Sequence, residues 1–218
     1  MGVRRFENRR WQNKEQGFTF KHKAALELIK KGPVLDLGCG DGLFLLLLKK
    51  TGISGKGLDI SDIAVEKARA KGLDVKWFDF SAKALPFSDN SFENVVLLDV
   101  LEHLYLPLNV LQEASRVSKR YVVFSVPNFN SFPARLQMML GKVPENNKHR
   151  QGHIYWFSYK VVKDLLEESN LKIEEMNVNS FFCRVPVLKK IMHLLAKKRP
   201  SIFALTFVVK ATEKKHSV

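Results

Sequence analysis

Only two cysteines, Cys39 and Cys183, occur in 218 residues, so there is no disulfide framework and no metal-knuckle spacing. No apolar run approaches the roughly 18 residues of a membrane-spanning helix. The densest stretch, "GLFLLLLKK", stops at Lys49 and Lys50. The N-terminal "MGVRRFENRRWQNKEQ" lacks the apolar centre of a signal peptide. Acidic residues are scarce as well: 22 against 36 Lys and Arg, a formal net charge of +14. These absences lead to the expectation of a soluble, cytoplasmic protein. The charge suits an anionic partner, or simply a lysine-covered surface. Its excess is densest at "VRRFENRRW", "NNKHRQGH" and "LLAKKRP". A hydrophobic share of 45% argues against wholesale disorder.

What is present alternates. Short apolar runs ending in glycine or a polar turn predict strands at 34–37, 55–59, 73–80, 92–100 and 120–128. Helical patterns separate them at 43–50, at 61–72 behind Ser61 or Asp62 as cap, and at 107–119 behind Pro107. After residue 128 the rhythm breaks into one short helix and a polar loop. It resumes with a helix at 158–170 behind Ser158 as cap, a strand at 171–181, a helix at 185–198 and a strand at 201–211. Such alternation predicts an α/β protein, a doubly wound, seven-stranded, mostly parallel sheet with helices on both faces. One domain over 1–218 is expected: an N-terminal lid or helix at 1–32, a cofactor-binding core at 33–128, an insertion at 129–157, and the rest of the sheet at 158–218. Ligands of these sheets sit beyond the carboxyl ends of the strands.

"VLDLGCGDG" falls at such an end. The dinucleotide fingerprint G-x-G-x-x-G fits Gly38 and Gly40 but requires glycine where Leu43 stands, and a phosphate-cradling loop would need G-K-[ST]. Asp59 follows Gly40 by 19 residues at the end of the second strand, where an acceptor-only carboxylate can take both ribose hydroxyls of a nucleoside.

The acid inside the strand followed by alternating glycines, Asp36 to Gly42, resembles motif I of the class I S-adenosylmethionine-dependent methyltransferases. "WFDFSAKALPFSDNSFENVVLLDVLEHL" resembles the stretch of that family running from the third strand through the fourth. Coverage runs from about Pro33 to Asn128 and more weakly through "GHIYWFSYKVVKDLLEESNLKIEEM". The resemblance implies a Rossmann-like fold and S-adenosyl-L-methionine as cofactor. It implies cofactor binding by Asp36, Gly38, Cys39, Gly40, Asp59, Ile60, Asp79, Phe80 and Leu98. Asp79 would accept from the adenine amine, Asp36 would help hold the ammonium, and Cys39 would be a small filler. The bare backbone at Gly38 and Gly40 is expected to let the methionine half lie against it.

The substrate is narrowed by further absences. No Asn/Asp-Pro-Pro-aromatic segment and no Pro-Cys nucleophile follow the fourth strand, so no specific nucleic acid is expected as partner. "DVLEHL" resembles small-molecule O-, N- and C-methyltransferases, including those of quinone biosynthesis. "SVPNFNSFPARLQMMLGKVP" resembles the MetW family, whose members share the fold and are associated with a partner acyltransferase. The leading expectation is methyl transfer to a small-molecule acceptor, anionic or membrane-associated in one version. The alternatives are a cofactor-binding accessory subunit and, behind it, an RNA methyltransferase. His103 and His153 are the candidate bases.

Asp99, Glu102 and His103 would share one face if the chain turned helical there, and could hold a divalent ion. The metal-free version is preferred, because the aspartate is a methylene short. Trp11, Phe18 or Phe20 are candidates to cover the site. "VPVLKKIMHLLAKKRP" sets Leu188, Ile191, Met192 and Leu195 at helical spacing among Lys189, Lys190, Lys197 and Lys198. That stripe either packs into the core or rests on an anionic membrane.

Overall fold

Strand β1 (Val34–Leu37) is buried at all four positions because it pairs in parallel with β2 (Gly55–Asp59) on one side and β4 (Phe92–Leu98) on the other. Around it the computed structural model describes residues 3–13, 15–144, 152–181 and 186–214, with side chains at 186–189 left aside. Cys183 and the 146–151 part of the basic "NNKHRQGH" cluster lie outside the described residues. The sheet has seven strands in the order β3-β2-β1-β4-β5-β7-β6. β3 is Val75–Trp77, β5 is Ser118–Pro127, β6 is Leu171–Ser180 and β7 is Ala204–Glu213. β1 to β5 are parallel; β7 runs antiparallel to both β5 and β6.

Alternation along the strands sends side chains to two apolar layers. Val95 and Leu97 join one core with Phe124 and Phe207, while Val96 and Leu98 join the other with Val123 and Val208. Helices α1 (Val3–Gln12), α2 (Phe20–Leu28), α3 (Leu43–Lys50), α4 (Asp62–Ala70), α5 (Pro107–Val117), α6 (Phe132–Met139), α7 (Tyr159–Glu168), α8 (Pro186–Lys198) and α9 (Pro200–Phe203) complete the order. The predicted caps hold: Ser61 Oγ accepts from the Ala64 N–H at 3.2 Å, and Ser158 Oγ from that of Val161 at 3.3 Å. Among the described residues no helix is long and apolar enough to cross a membrane.

Among the boundaries that differ from expectation, three are instructive. β3 ends at Trp77 rather than Phe80, because Asp79 turns the chain by accepting from the Ser81 N–H and Oγ–H at 3.1 and 2.6 Å. The last strand starts at Ala204, since Pro200 opens one helical turn first. The helix expected over 107–119 stops at Val117, and Ser118 to Arg120 enter β5.

Candidate active site

A cleft of about 690 Å³ opens at the carboxyl ends of the parallel strands, within the range of small-molecule sites. Asp59, the last residue of β2, lies in its wall and is buried. Its Oδ2 accepts from the Gly40 N–H and its Oδ1 from the Ser61 N–H, both at 2.8 Å. These bonds tie the glycine loop to the start of α4 and fix the carboxylate. Burial outweighs them and pushes its pKa up to about 6. Each oxygen keeps a second lone pair with which to accept from a ligand. Ile60, Asp79, Phe80 and Leu98 line the same end.

The glycines have a reason within the protein's own packing. Gly38 and Gly40 have φ of 74° and 56°, a region that strains other residues. A Cβ at Gly38 would stand 2.4 Å from Val100 Cγ2, and one at Gly40 would stand 2.5 Å from the Trp11 ring. The protein's own side chains press on these backbones, so glycine is required here whether or not a ligand lies against the loop. Gly38 lines the cleft; Asp36, Cys39 and Gly40 lie behind its surface. Asp36 is buried with Oδ2 unpartnered among the described residues, and burial followed by the Asp59 charge raises its pKa well above the ordinary value. Burial raises the Cys39 thiol as well, with Asp36 adding to it, so the residue is inert filler rather than a thiolate.

α1 carries Glu7, Arg10 and Trp11 into the cleft from one face. Trp11 is only 6% exposed, whereas Phe18 points outward and Phe20 packs against the core. The helix is fastened at its outer side. Arg4 donates Nε–H and Nη2–H to the two oxygens of Asp62 at 2.8 and 2.9 Å, and Lys67 Nζ donates to the Trp11 carbonyl at 2.7 Å. α2 adds Lys21 to the cleft. Glu7, Arg10, Lys21 and Thr206 line the site without having been anticipated. The i, i+3, i+4 spacing of Glu7, Arg10 and Trp11 was the one signal available; Lys21 and Thr206 had none.

The far end of the cleft is built around Glu102, 1% exposed, whose two carboxylate oxygens have no hydrogen-bond partner among the described residues. Burial pushes its pKa up to about 7, opposed by its own backbone N–H, Lys21 and Arg10. The segment at 152–155 docks here: the N–H groups of Ile154 and Tyr155 donate to the Glu102 carbonyl at 2.9 and 3.1 Å. That places His153 Nε2 4.0 Å from Glu102 Oε1. The rings of His103 and His153 meet edge to face at 4.9 Å. His103 Nδ1 lies 3.0 Å from the Gly152 carbonyl. A carbonyl only accepts, so Nδ1 carries the hydrogen and Nε2 is the acceptor nitrogen.

Asp99 does not join this group. It adopts φ 56°, and the short 3-10 turn begins only at Leu101. Ser125 Oγ accepts from the Asp99 N–H at 3.0 Å and donates to its Oδ1 at 2.9 Å, while Oδ2 pairs with Lys21. The one-face trio of Asp99, Glu102 and His103 is thereby corrected. Glu102, His103 and His153 instead each offer a ligand-capable atom within 4.8 Å of the others. Tetrahedral metal bonds of about 2.0–2.1 Å need ligand atoms roughly 3.3 Å apart, closer than the 4.0 Å between His153 and Glu102.

The strand order with its single antiparallel strand, and the acids beyond β2 and β3, define a class I methyltransferase fold. Solved structures agree. A SAM-dependent methyltransferase of Thermotoga maritima, described as a possible histamine N-methyltransferase, superposes with TM-score 0.65 at 21% identity over 89% of this chain and 87% of that one. The magnesium protoporphyrin IX methyltransferase of Synechocystis PCC 6803, with bound SAH, gives 0.66 at 16% over 97% and 98%. The chain belongs to the family described as "Methionine biosynthesis protein MetW", whose profile matches residues 20–199. A ubiquinone biosynthesis O-methyltransferase of Methylococcus capsulatus is 34% identical over 114 residues, 49% of this chain and 48% of its own. An uncharacterized protein of Methanocaldococcus jannaschii is 29% identical over 160 residues, covering 69% and 72%. The chain thus spans about half the length of the ubiquinone-pathway relatives it matches.

Proposed function

We propose that this protein is a cytoplasmic S-adenosyl-L-methionine-dependent methyltransferase with a small-molecule acceptor. One observation carries the reading. A single cleft runs from the acids after β2 and β3 to the buried Glu102 beside His103 and His153. The first end suits a nucleoside: Asp59 for vicinal ribose hydroxyls, Asp79 for an exocyclic amine, and Ile60, Phe80 and Leu98 for a flat base. The buried, unpartnered Asp36 oxygen suits a nearby ammonium, bridged by water. When bound, the cofactor supplies an electrophilic methyl group on a sulfonium.

The chain's own work is positioning and proton handling. Trp11 and α1 roof the nucleoside end and exclude water there. At the other end His103 Nε2 takes the proton that an acceptor hydroxyl or amine gives up. The Glu102 carboxylate beside the two rings stabilises the imidazolium so formed. Labelled cofactor supplied with a cell extract tests this: a labelled small molecule is the expected result, and label in the nucleic-acid fraction would redirect the reading to RNA.

Membership in the MetW family favours a second reading, a subunit that binds the cofactor and serves a partner acyltransferase. Such a subunit would bind S-adenosylhomocysteine in a calorimeter, co-purify with that partner, and leave every extract fraction unlabelled.

A further inference from the structure

A group of large, exposed apolar side chains lies at one end of the molecule. α6 leaves Phe132, Leu136, Met139 and Leu140 outward, with Met139 83% and Leu140 63% exposed; α8 leaves Ile191 and Leu194 outward. These helices lie at the same edge of the sheet. β5 runs into α6 at its carboxyl end. β7, antiparallel to it, begins at that edge just after α9, and β6 ends there before α8. A chain of stacked rings joins them: Phe132 to Phe181 at 6.1 Å, and Phe181 to Phe203 at 6.2 Å. It is also the edge at which the cleft opens, since Pro127 and Thr206 from β5 and β7 line it. Trp156, 56% exposed and stacked on Phe129, stands nearby at the start of α6.

The charge on this face has one sign. Residues 129–144 and 186–203 contain no Asp or Glu. They contain Arg135 and Lys142 in the first stretch and Lys189, Lys190, Lys197, Lys198 and Arg199 in the second, half of the net +14 of the whole chain. An apolar surface whose own two helical stretches carry cations and no carboxylate narrows what can cover it. A second copy would bring two such rims together, and like charges repel. A nucleic acid answers the cations but leaves Met139, Leu140 and Leu194 in water. An anionic bilayer answers both at once, with acyl chains for the apolar residues and headgroup phosphates for the lysines.

We propose that the face formed by α6, α8 and α9 docks on an anionic lipid bilayer. Insertion is shallow, at the depth of the headgroup boundary, with Trp156 at the interface. The proposal concerns a surface, and its test needs neither cofactor nor acceptor, so it stands or falls independently of methyl transfer.

The full chain is sedimented with vesicles of phosphatidylcholine alone and with vesicles containing phosphatidylglycerol, at low and high salt. Binding to the anionic vesicles only, weakened by salt, is expected. Lys197→Ala with Lys198→Ala should lower the partition coefficient about fivefold per residue neutralised and flatten the salt dependence. Met139→Ser with Leu140→Ser, both exposed and so harmless to folding, should weaken binding at every salt concentration. The proposal is overturned by absence of binding at low salt, by equal binding to neutral vesicles, or by wild-type binding of the serine variant. It is equally overturned if light scattering finds a dimer that the serine substitutions split.

Discussion

Trp11 lies directly over Gly40, its Cζ2 and Cη2 carbons 2.5 Å from where a Cβ at position 40 would be. Gly40→Ala therefore meets two penalties: the left-handed φ of 56°, about 1–2 kcal/mol, and displacement of the indole. Thermal unfolding of Gly40→Ala, Trp11→Ala and the double variant separates them. The alanine at 40 should cost less once Trp11 is gone, with a coupling of about 0.5–3 kcal/mol. Strictly additive effects would refute the packing account.

Asp59 sets a pH dependence with opposite signs for stability and binding. Its pKa is raised from 3.8 to about 6, so the folded state favours the protonated acid. That contribution is full below pH 3.8 and lost as pH rises through about 6. Ribose hydroxyls need the carboxylate, so affinity for S-adenosylhomocysteine should instead fall as pH drops through 6. Calorimetry at pH 7.5 and 5 checks this. Asp59→Asn should weaken binding roughly 10- to 150-fold, the worth of a charged hydrogen bond, and remove the pH dependence.

His22 in α2 works the other way. It is buried, and burial followed by Lys21 lowers its pKa from 6.5 to about 4. A neutral folded imidazole facing an unfolded one that protonates gives stability present above pH 6.5 and lost as pH falls through 4. Urea midpoints should drop between pH 7 and 4.5 in the wild type. His22→Gln should be weaker at neutral pH and show a flatter slope over that window.

At the acceptor end, His103→Ala should lower turnover by about 10²–10⁴ while leaving S-adenosylhomocysteine affinity within a few-fold. Glu102→Gln keeps shape and removes charge. With the carboxyl pKa raised to about 7, wild-type activity should climb through neutrality and the Gln variant should lose that limb. EDTA should change nothing. Activity lost in EDTA and restored by a divalent ion would reassign Glu102, His103 and His153 to metal binding.

What could be read beforehand follows from how local the cause is. The β–α alternation, the Ser61 and Ser158 caps, and the placement of Asp59 and Asp79 at strand ends depend on neighbours in the chain. So does an apolar run buried on both faces, as at Val95 to Leu98. The antiparallel insertion of β7 between β5 and β6 is set by long-range packing, and no residue pattern announces it. Asp99 was misplaced because Ser125, 26 residues away, holds it in a left-handed turn that spacing alone cannot reveal. His153 and Glu102 were each noticed, but their meeting depends on a loop that returns 50 residues later. Gly40 stands out by its spacing, but the pressure of Trp11 on it could not be read, since Trp11 comes from a segment carrying no motif.

The fastening of α1 has a kinetic consequence. The helix that roofs the nucleoside end is held to α4 by Arg4 and Lys67, groups that water and salt compete for. α1 reaches the other end of the cleft as well: a Cβ at Gly152, beside His103, would stand 2.7 Å from the Phe6 ring. On the proposed function, release of spent cofactor requires α1 to swing away, a step whose rate is set by surface ion pairing rather than by bond making. A multi-turnover time course should therefore begin with a burst, and added salt should quicken the slow phase that follows it.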